Sequence, residues 1–364
     1  MKNTLFVAVV VILGIGSPAM TQTRKFIAAQ EPYQTKKLNV AIFVFPVVQI
    51  IDFATPFEVF QQAGANTYTV AEKQEPIQTN AGLTIVPKYT FDNAPQPDVL
   101  VLPGGDGVRD QIANPAVMKW IQETAKHTPQ VLTVCSGAFF AAKAGLLDGL
   151  SATTIYGALD YLAEVSPTVK VVWDRKYVDS GKVITSAGLS SGMEASLYTV
   201  SKVLGMGHAQ SVALHMEYNW DPNSTYARAM FPDLYIPDEL PNGLPRGSDL
   251  LSSSGDRDHW TITVRIPGEQ DRPKIWENIN ASVAQSGKWS NSAKSATKDN
   301  MSRWTFNDRS GSKWESVISL TKDQGPDLLL VVDMHRSSLD APGASISHGC
   351  SHDRGQPRRC EEHR

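Results

Sequence analysis

The chain has 364 residues, of which 41% are hydrophobic, 20% are charged and three are cysteines, and its net charge is −3. That length can hold two modest domains or one large one, and the apolar content is sufficient for a buried core. Nothing in this charge balance suggests a nucleic-acid-binding surface, so no nucleic-acid partner is expected.

The first residues have the pattern of a secretory signal peptide. Lys2 precedes a short apolar run, and Ala19 closes a small-residue cleavage site. The run is too short to span a membrane, which needs about 20 apolar residues. We therefore predict a signal peptide at 1–19, a polar leader at 20–37, a periplasmic or secreted location, and no membrane attachment after cleavage.

The folded part begins with a continuous apolar strand at Leu38–Phe45, which is typical of a parallel sheet covered on both faces. A helix is predicted to begin at Pro56, with Thr55 as its N-cap and Glu58 completing a capping box. Asp52 then lies outside the helix, in a loop at the carboxyl end of the strand. Its apolar neighbours can raise a carboxyl pKa, although a solvated loop aspartate fits the same pattern.

Strands and helices alternate over the rest of this region. Strands are predicted at 68–71, 98–102, 131–134, 151–156, 170–173 and 183–186, helices at 114–127, 138–144, 157–164 and 190–204, and a hairpin at 77–89. This alternation predicts an α/β fold with a mostly parallel sheet.

A glycine-containing turn follows the strand at 98–102. Pro103 precedes Gly104 and Gly105, and glycines at such a turn allow backbone N–H groups to face an anion or a developing oxyanion. A plain turn explains the same residues, because one glycine pair is weak evidence.

Cys135 occupies the turn between a buried strand and a helix. A side chain at this position projects from the carboxyl edge of the sheet, where open α/β sheets bind ligands. It also lies at a helix N-terminus, which favours thiolate over thiol. A buried structural cysteine is the alternative interpretation.

Six motifs occur in order in this region. They are Asp52-x-x-x-Pro56-x-Glu58-Val59-Phe60, Leu102-Pro103-Gly104-Gly105, Val134-Cys135-Ser136-Gly137-Ala138, Ala144-Gly145-Leu146-Leu147-Asp148-Gly149, Ala152-Thr153-Thr154 and Ser186-Ala187-Gly188. Together they resemble the ThiJ/PfpI family of the class I glutamine amidotransferase-like superfamily, over residues 38–221. The resemblance implies a flavodoxin-like three-layer sandwich.

Within that family, the first and third motifs are similar to those of the isonitrile hydratases and of the ligand-sensing halves of some AraC-type regulators. The resemblance to the hydratases implies that Asp52, Cys135 and Ser136 are catalytic, with Gly104 and Gly105 as backbone donors to a developing charge. The implied reaction adds the Cys135 thiolate to the isonitrile carbon while protonated Asp52 donates a proton. Water then releases a formamide.

The chain departs from the family pattern at three positions. Ser136 follows the cysteine where the family's proteases have His, Ile155 stands where related branches often have His, and Thr55 replaces a usual Gly. A Cys–His dyad, the common way to activate a thiol, therefore has no local support. The substrate contacts that the family's His makes at this position are not expected from Ile155.

These observations leave three hypotheses for the first domain. It is a cysteine-dependent hydratase or hydrolase of small molecules, a non-catalytic sensor of small ligands, or a redox-responsive protein in which Asp52 stabilises oxidised Cys135. The absence of a helix-turn-helix after the first domain disfavours direct gene regulation. The expected partner is a small-molecule substrate or ligand, no cofactor is implied, and a homodimer remains open.

A second, smaller domain is predicted after a linker. Residues 222–256 are rich in Pro, Gly and Ser, which is typical of a linker. A βαβββ domain is predicted at 257–336, with an apolar face that carries Trp260, Trp304 and Trp314. Its elements are strands at 259–266, 301–307, 313–320 and 327–333 and a helix at 273–285 capped by Asp271. No family resemblance accompanies this part.

The remaining residues, 337–364, are polar and predict a disordered tail. Its cysteines and histidines fit no standard zinc spacing, so no metal site is predicted. Cys350 and Cys360 could instead pair in an oxidising compartment. Cys135 would then be the free thiol of the folded body, which favours a working role for it.

Overall fold

The computed structural model describes residues 37–224, 226–268, 271–291, 300–323 and 325–337. The chain divides into two compact units, with the boundary between Arg228 and Ala229. The predicted signal peptide, leader and tail lie outside the described residues, apart from Lys37 and Ser337. Among the described residues, no helix is both long and apolar enough to cross a membrane.

The first unit alternates strands with helices, as its sequence predicts. Its strands are β1 (Asn39–Phe43), β2 (Asn66–Ala71), β3 (Ile77–Gln78), β4 (Thr84–Ile85), β5 (Tyr89–Thr90), β6 (Val99–Leu102), β7 (Gln130–Val134), β8 (Ser151–Ala152), β9 (Lys170–Val171), β10 (Tyr177–Ser180) and β11 (Val183–Ser186). Its α-helices are α1 (Ile50–Gln62), α2 (Val108–Ile112), α3 (Pro115–His127), α4 (Ala138–Lys143), α5 (Leu159–Val165), α6 (Ser190–Leu204) and α7 (Met206–His215).

Seven of these strands form one sheet in the order β10-β11-β7-β6-β1-β2-β5. Every neighbouring pair is parallel except β10 and β11. The helices form two packed groups, α1 with α6 and α7, and α2 with α3, α4 and α5. The predicted α/β class with a mostly parallel, flavodoxin-like sheet is confirmed.

The centre of the sheet is buried on both faces. Every residue of β6, β7 and β11 is buried, which explains why these strands are short apolar runs in the sequence. Because β1, β6, β7 and β11 are parallel neighbours, their carboxyl ends meet at one edge. The segments that follow these four strands therefore lie side by side, and the candidate site is built from them.

Helix α1 begins earlier than the capping pattern predicts. It starts at Ile50, so Asp52 lies in its first turn and Pro56 lies inside it. Glu58 accepts a hydrogen bond from Gln62 Nε2 at 2.6 Å instead of closing a capping box. The prediction that Asp52 is in a loop is wrong, because the chain is already helical before Pro56.

The second unit is an antiparallel sheet with one helix. Its elements are β12 (Asp249–Gly255), β13 (His259–Ile266), α8 (Arg272–Gln285), β14 (Ser290–Asn291), β15 (Met301–Asn307), β16 (Lys313–Lys322) and β17 (Leu328–Arg336). The strand order is β12-β13-β17-β16-β15-β14. Asp271 caps α8 by accepting the Lys274 N–H at 3.2 Å, as predicted. Trp304 and Trp314 are buried in the core of this unit, and Trp260 packs against it.

The stretch predicted as a linker is structured where the structure describes it. It contains 3-10 helices at Arg228–Met230, Pro232–Tyr235 and Leu240–Gly243, and then strand β12. All seven residues of β12 are exposed, and it pairs only with β13 at the edge of the sheet. A strand exposed on both faces has no alternation of apolar residues, so its serine-rich sequence looked like a linker. The second unit therefore has strands β12 and β14 in addition to the predicted βαβββ set.

Candidate active site

Asp52 is a fully buried carboxyl group in the first turn of α1. Its Oδ1 accepts the backbone N–H of Leu189 at 3.1 Å. The Cys135 thiol and the Gly104 N–H interact with the carboxyl more weakly, and Oδ2 has no partner with full hydrogen-bond geometry. Burial raises the pKa of Asp52 to about 6, because desolvation outweighs the three donors, which all lower it.

Cys135 follows β7 directly and turns the chain towards α4. Its backbone is left-handed, with a φ of 57°, and its side chain is buried at 7% exposure. Its carbonyl oxygen accepts a hydrogen bond from Thr154 Oγ1 at 2.8 Å. The predicted turn between strand and helix is therefore confirmed, and it is held in a backbone conformation that non-glycine residues rarely adopt.

The thiol of Cys135 is held in its neutral form. Burial, and after it the negative charge of Asp52, raises the pKa of Cys135 to about 12, although the Ser136 N–H lowers it. The prediction of a resting thiolate is wrong, because desolvation outweighs the donors at the start of the helix. These shifts assign the proton of the pair to sulfur and the negative charge to Asp52 near neutral pH.

Ser136, Gly104 and Gly105 lie next to this pair. The Gly105 N–H donates to Ser136 Oγ at 3.1 Å. A Cβ added to Gly104 would lie 2.7 Å from Ser136 Oγ and 2.9 Å from Asp52 Oδ2, so only glycine fits between them. The structure thus brings all five predicted residues together. It also shows that the two glycine N–H groups already contact site side chains, so stabilising a developing charge would require substrate to displace those contacts.

The loop after β11 contributes contacts that the sequence did not predict. A Cβ on Gly188 would lie 2.5 Å from Cys135 Cβ and 2.9 Å from its Sγ, so this glycine packs directly against the thiol. Leu189 supplies the donor to Asp52 from a left-handed backbone with a φ of 51°. Two sequence motifs could have indicated these contacts. The Ser-Ala-Gly motif at 186–188 contains Gly188 and precedes Leu189, and the Ala-Thr-Thr motif at 152–154 contains Thr154, which binds the Cys135 carbonyl.

The structure places no histidine in the acid–thiol pair, since its described partners are backbone groups, Ser136 and the pair itself. Ile155 is half-buried and packs against the core. His208 Nε2 contacts the Ala63 carbonyl at 3.1 Å, and His127 lines a different surface cleft. Within the described ranges, no group of three or more His, Cys, Asp or Glu side chains is arranged to hold a metal ion.

Comparisons with known proteins match this unit. The DJ-1/PfpI family profile matches residues 38–202. An isonitrile hydratase of Pseudomonas putida is 30% identical over 183 residues, which cover 50% of this chain and 78% of that protein. The HTH-type transcriptional regulator GbdR of Pseudomonas aeruginosa is 26% identical over 165 residues, which cover 44% of each chain.

A solved structure of a ThiJ/PfpI family protein from Pseudomonas syringae is 27% identical and covers 53% of this chain and 80% of that chain, with a TM-score of 0.48. The family thus includes a protein named as an enzyme and proteins named as regulators. Because the match to the hydratase extends over most of that protein, the chain belongs to the DJ-1/PfpI family.

Proposed function

We propose that the first unit is a cysteine-dependent hydratase that converts small isonitriles into N-substituted formamides, and that it works in the periplasm or outside the cell. The observation that carries this proposal is the buried pair of a neutral thiol and a carboxylate with a pKa of about 6. Such a carboxyl group can accept and return a proton near neutral pH, which is what general acid–base catalysis requires.

The first step forms the bond between sulfur and the isonitrile carbon. Cys135 Sγ attacks the terminal carbon as its proton passes to the Asp52 carboxylate. Asp52 then delivers that proton to the same carbon, so the product is a neutral thioimidate bound to Cys135. The mechanism implied by the resemblance begins with a Cys135 thiolate and a protonated Asp52. Here the proton begins on sulfur and Asp52 begins ionised, in agreement with the raised pKa of the thiol.

The second step consumes one water molecule. Water attacks the thioimidate carbon as Asp52 takes one of its protons and returns it to the imine nitrogen. The C–S bond then breaks, the remaining hydroxyl proton passes through Asp52 to sulfur, and a formamide leaves. The two water hydrogens end on nitrogen and on Cys135, so the thiol and the carboxylate are regenerated. Ser136 Oγ, held by the Gly105 N–H, is placed to orient the water.

The test is formamide release by the purified full-length chain from isonitriles of different sizes. Cys135→Ala abolishes turnover, and Asp52→Asn lowers it about as far because an amide cannot accept the thiol proton. Ser136→Ala lowers it by on the order of 10²-fold, as expected for one polar stabiliser. Glu58→Gln is the matched control, because Glu58 is an exposed carboxylate on the same helix as Asp52. Full activity of Cys135→Ala would contradict the mechanism.

A second candidate function is the binding of a small ligand without turnover. It is favoured by the thiol pKa of about 12, which makes Cys135 a weak nucleophile unless Asp52 assists it. The matches to transcriptional regulators point in the same direction. If the wild-type protein hydrates none of the isonitriles but binds one of them in calorimetry, the sensor function replaces the hydratase.

The redox hypothesis has the least support. Oxidation of cysteine proceeds through the thiolate and requires access to the oxidant. The thiol of Cys135 lacks the first of these properties, because its raised pKa keeps it neutral.

A further inference from the structure

A buried ion pair lies in the first unit outside the acid–thiol pair. Glu194, in the second turn of α6, is 4% exposed. Its Oε1 accepts hydrogen bonds from Lys176 Nζ at 2.9 Å and from the Tyr218 hydroxyl at 2.6 Å. Its Oε2 is buried without a hydrogen-bond partner. The Lys176 side chain is 14% exposed, so both charges are largely withdrawn from water.

A buried ion pair of this kind contributes little to the stability of the fold. Burying two charges costs desolvation energy, and apolar residues of similar volume often give an equal or more stable fold. The unpartnered Oε2 adds to that cost. A role in fixing the position of the chain is the physical alternative, because the pair joins α6 to the residue that precedes β10.

The backbone of Lys176 is hydrogen-bonded to the segment that contacts the acid–thiol pair. The Lys176 carbonyl accepts the Ala187 N–H at 2.8 Å. The next residue, Gly188, packs against Cys135, and Leu189 donates to Asp52. Residues 187–189 thus lie between two anchored points, the Lys176 backbone on one side and helix α6 on the other.

We propose that Glu194 is a positioning residue, and that its ion pair with Lys176 clamps residues 187–189 so that Leu189 stays on Asp52 and Gly188 stays against the thiol. The proposal concerns the acid–thiol pair of the proposed hydratase and in that respect rests on the proposed function. Its main readout is the ionisation of Asp52, which can be measured whether or not the protein turns over an isonitrile.

Loosening the clamp has a defined electrostatic consequence. The Leu189 N–H stabilises the ionised form of Asp52, so losing it raises the pKa of this carboxyl. Cys135 is the titratable group that faces Asp52, while Lys176, Tyr218 and Tyr177 interact with Glu194. Removing the ion pair therefore changes the ionisation of Asp52 through the backbone, not by a direct charge contact.

The experiment is a ¹³C NMR titration of the Asp52 side-chain carboxyl in the full chain, assigned with Asp52→Asn. The double variant Lys176→Met/Glu194→Gln leaves no unpaired buried charge. It raises the pKa of Asp52 by about one to two units, the size expected for one lost backbone hydrogen bond to a carboxylate. In the same variant, isonitrile turnover falls about tenfold in kcat, because the acid and the thiol are misplaced. Lys176→Arg keeps the ion pair and retains the wild-type titration.

The matched control is the ion pair between Lys202 and Asp179, which joins the same helix to β10 at 2.8 Å but is partly exposed. Lys202→Met leaves the titration of Asp52 unchanged. If the double variant folds and titrates like the wild type, the ion pair is only structural and the proposal is overturned. If that variant does not fold, Glu194→Gln decides: it removes the charge of the ion pair but keeps the shape of the side chain, so it shifts the titration in the same direction, and no shift overturns the proposal.

Discussion

Leu189 donates its backbone N–H to Asp52 Oδ1 at 3.1 Å, although the two residues are 137 positions apart in the chain. Leu189 does so from a left-handed backbone, and Cys135 has a left-handed backbone as well. Non-glycine residues in this conformation store strain, which the surrounding structure must offset. Both strained residues contact the same buried carboxyl. At this edge of the sheet, the precise placement of side chains is therefore maintained at a cost in stability.

The proton assignment predicts the pH dependence of turnover. We expect kcat/KM for isonitrile hydration to fall as the pH drops below about 6, because protonated Asp52 cannot accept the thiol proton. No loss is expected between about pH 7 and about pH 10, because the thiol pKa of about 12 keeps the proton on sulfur. A resting thiolate beside a protonated aspartate would instead lose activity above pH 6, so initial rates across this range distinguish the two assignments.

The raised pKa of Asp52 also predicts a pH-dependent stability. The folded protein binds this proton more tightly than the unfolded chain, where the pKa is near 3.8, so stability is lost as the pH rises from about 4 to about 6. At pH 7.5 the ionised carboxyl costs up to about 3 kcal/mol, from about two pKa units at about 1.4 kcal/mol each. Asp52→Asn should therefore raise the free energy of unfolding of the first unit at pH 7.5.

Urea unfolding of the wild type and Asp52→Asn tests this stability prediction at two pH values. The difference should shrink towards zero as the pH falls towards about 3, where the wild-type carboxyl is protonated in both states. A destabilised Asp52→Asn at pH 7.5 would mean that the hydrogen bonds to the carboxylate outweigh its desolvation. Glu58→Gln, at an exposed position on the same helix, is the control for the loss of a carboxylate outside the site.

Thr154 is predicted to hold the strained backbone of Cys135. Thr154→Val keeps the shape of the side chain but removes the buried hydrogen bond to the Cys135 carbonyl, which should cost about 1–2 kcal/mol of stability. Turnover should fall about tenfold or more, because the sulfur is no longer fixed against the Asp52 carboxyl. Thr67→Val is the control: its hydroxyl is buried without a partner, so its removal should be neutral or stabilising. Equal effects of the two substitutions would show that Thr154 has no special role.

The sequence predicted the central strands of the sheet well, but it missed the edge strand β10 and placed the start of the helix that contains Asp52 too late. Strands buried on both faces leave uninterrupted apolar runs, and β13 leaves a clear alternation. The Thr55–Pro56 pattern is also a valid helix start, and nothing local shows that the helix already includes Ile50. Strand β12 was missed because exposure on both faces removes the periodic signal.

The protonation states of Cys135 and Asp52 could not be predicted from the sequence, for a different reason. Cys135 does lie at the start of a helical segment, which alone lowers a thiol pKa. How deeply it is buried, and how close Asp52 lies, depend on contacts between distant parts of the chain. The same holds for Leu189 and Glu194, whose roles appear only when β10, β11 and α6 are assembled.

The amino-terminal pattern predicts a processed protein. If the apolar run after Lys2 is a signal peptide, export removes residues 1–19 and the mature chain begins at Met20. Expression in a bacterium that exports proteins, followed by intact-mass analysis of the periplasmic fraction, measures this directly. A replacement of Ala19 by a bulky residue should leave the precursor uncut. Recovery of the full 364-residue mass from a cytosolic fraction would contradict the predicted location.

Gly104 is predicted to be a site glycine that a larger residue cannot replace without disturbing the acid–thiol pair. A Cβ at this position would lie 2.7 Å from Ser136 Oγ, 2.8 Å from Ser136 N and 2.9 Å from Asp52 Oδ2. The backbone nitrogen cannot move aside without shifting the turn at Cys135, so Gly104→Ala should cost about 1–3 kcal/mol through overpacking. The acid and the thiol would separate, and turnover should fall by about 10²-fold or more.

Gly157→Ala is the matched control for Gly104→Ala, because a Cβ at Gly157 meets no atom within 4 Å and its backbone is not left-handed. It should retain wild-type turnover and stability. Thermal unfolding and formamide release are measured on both variants, and Gly104→Ala should lose more stability and more turnover than Gly157→Ala. If Gly104→Ala loses stability but keeps its turnover, the close approach of Gly104 serves packing alone. If it loses turnover at near-wild-type stability, the spacing between Asp52 and Ser136 is what catalysis requires.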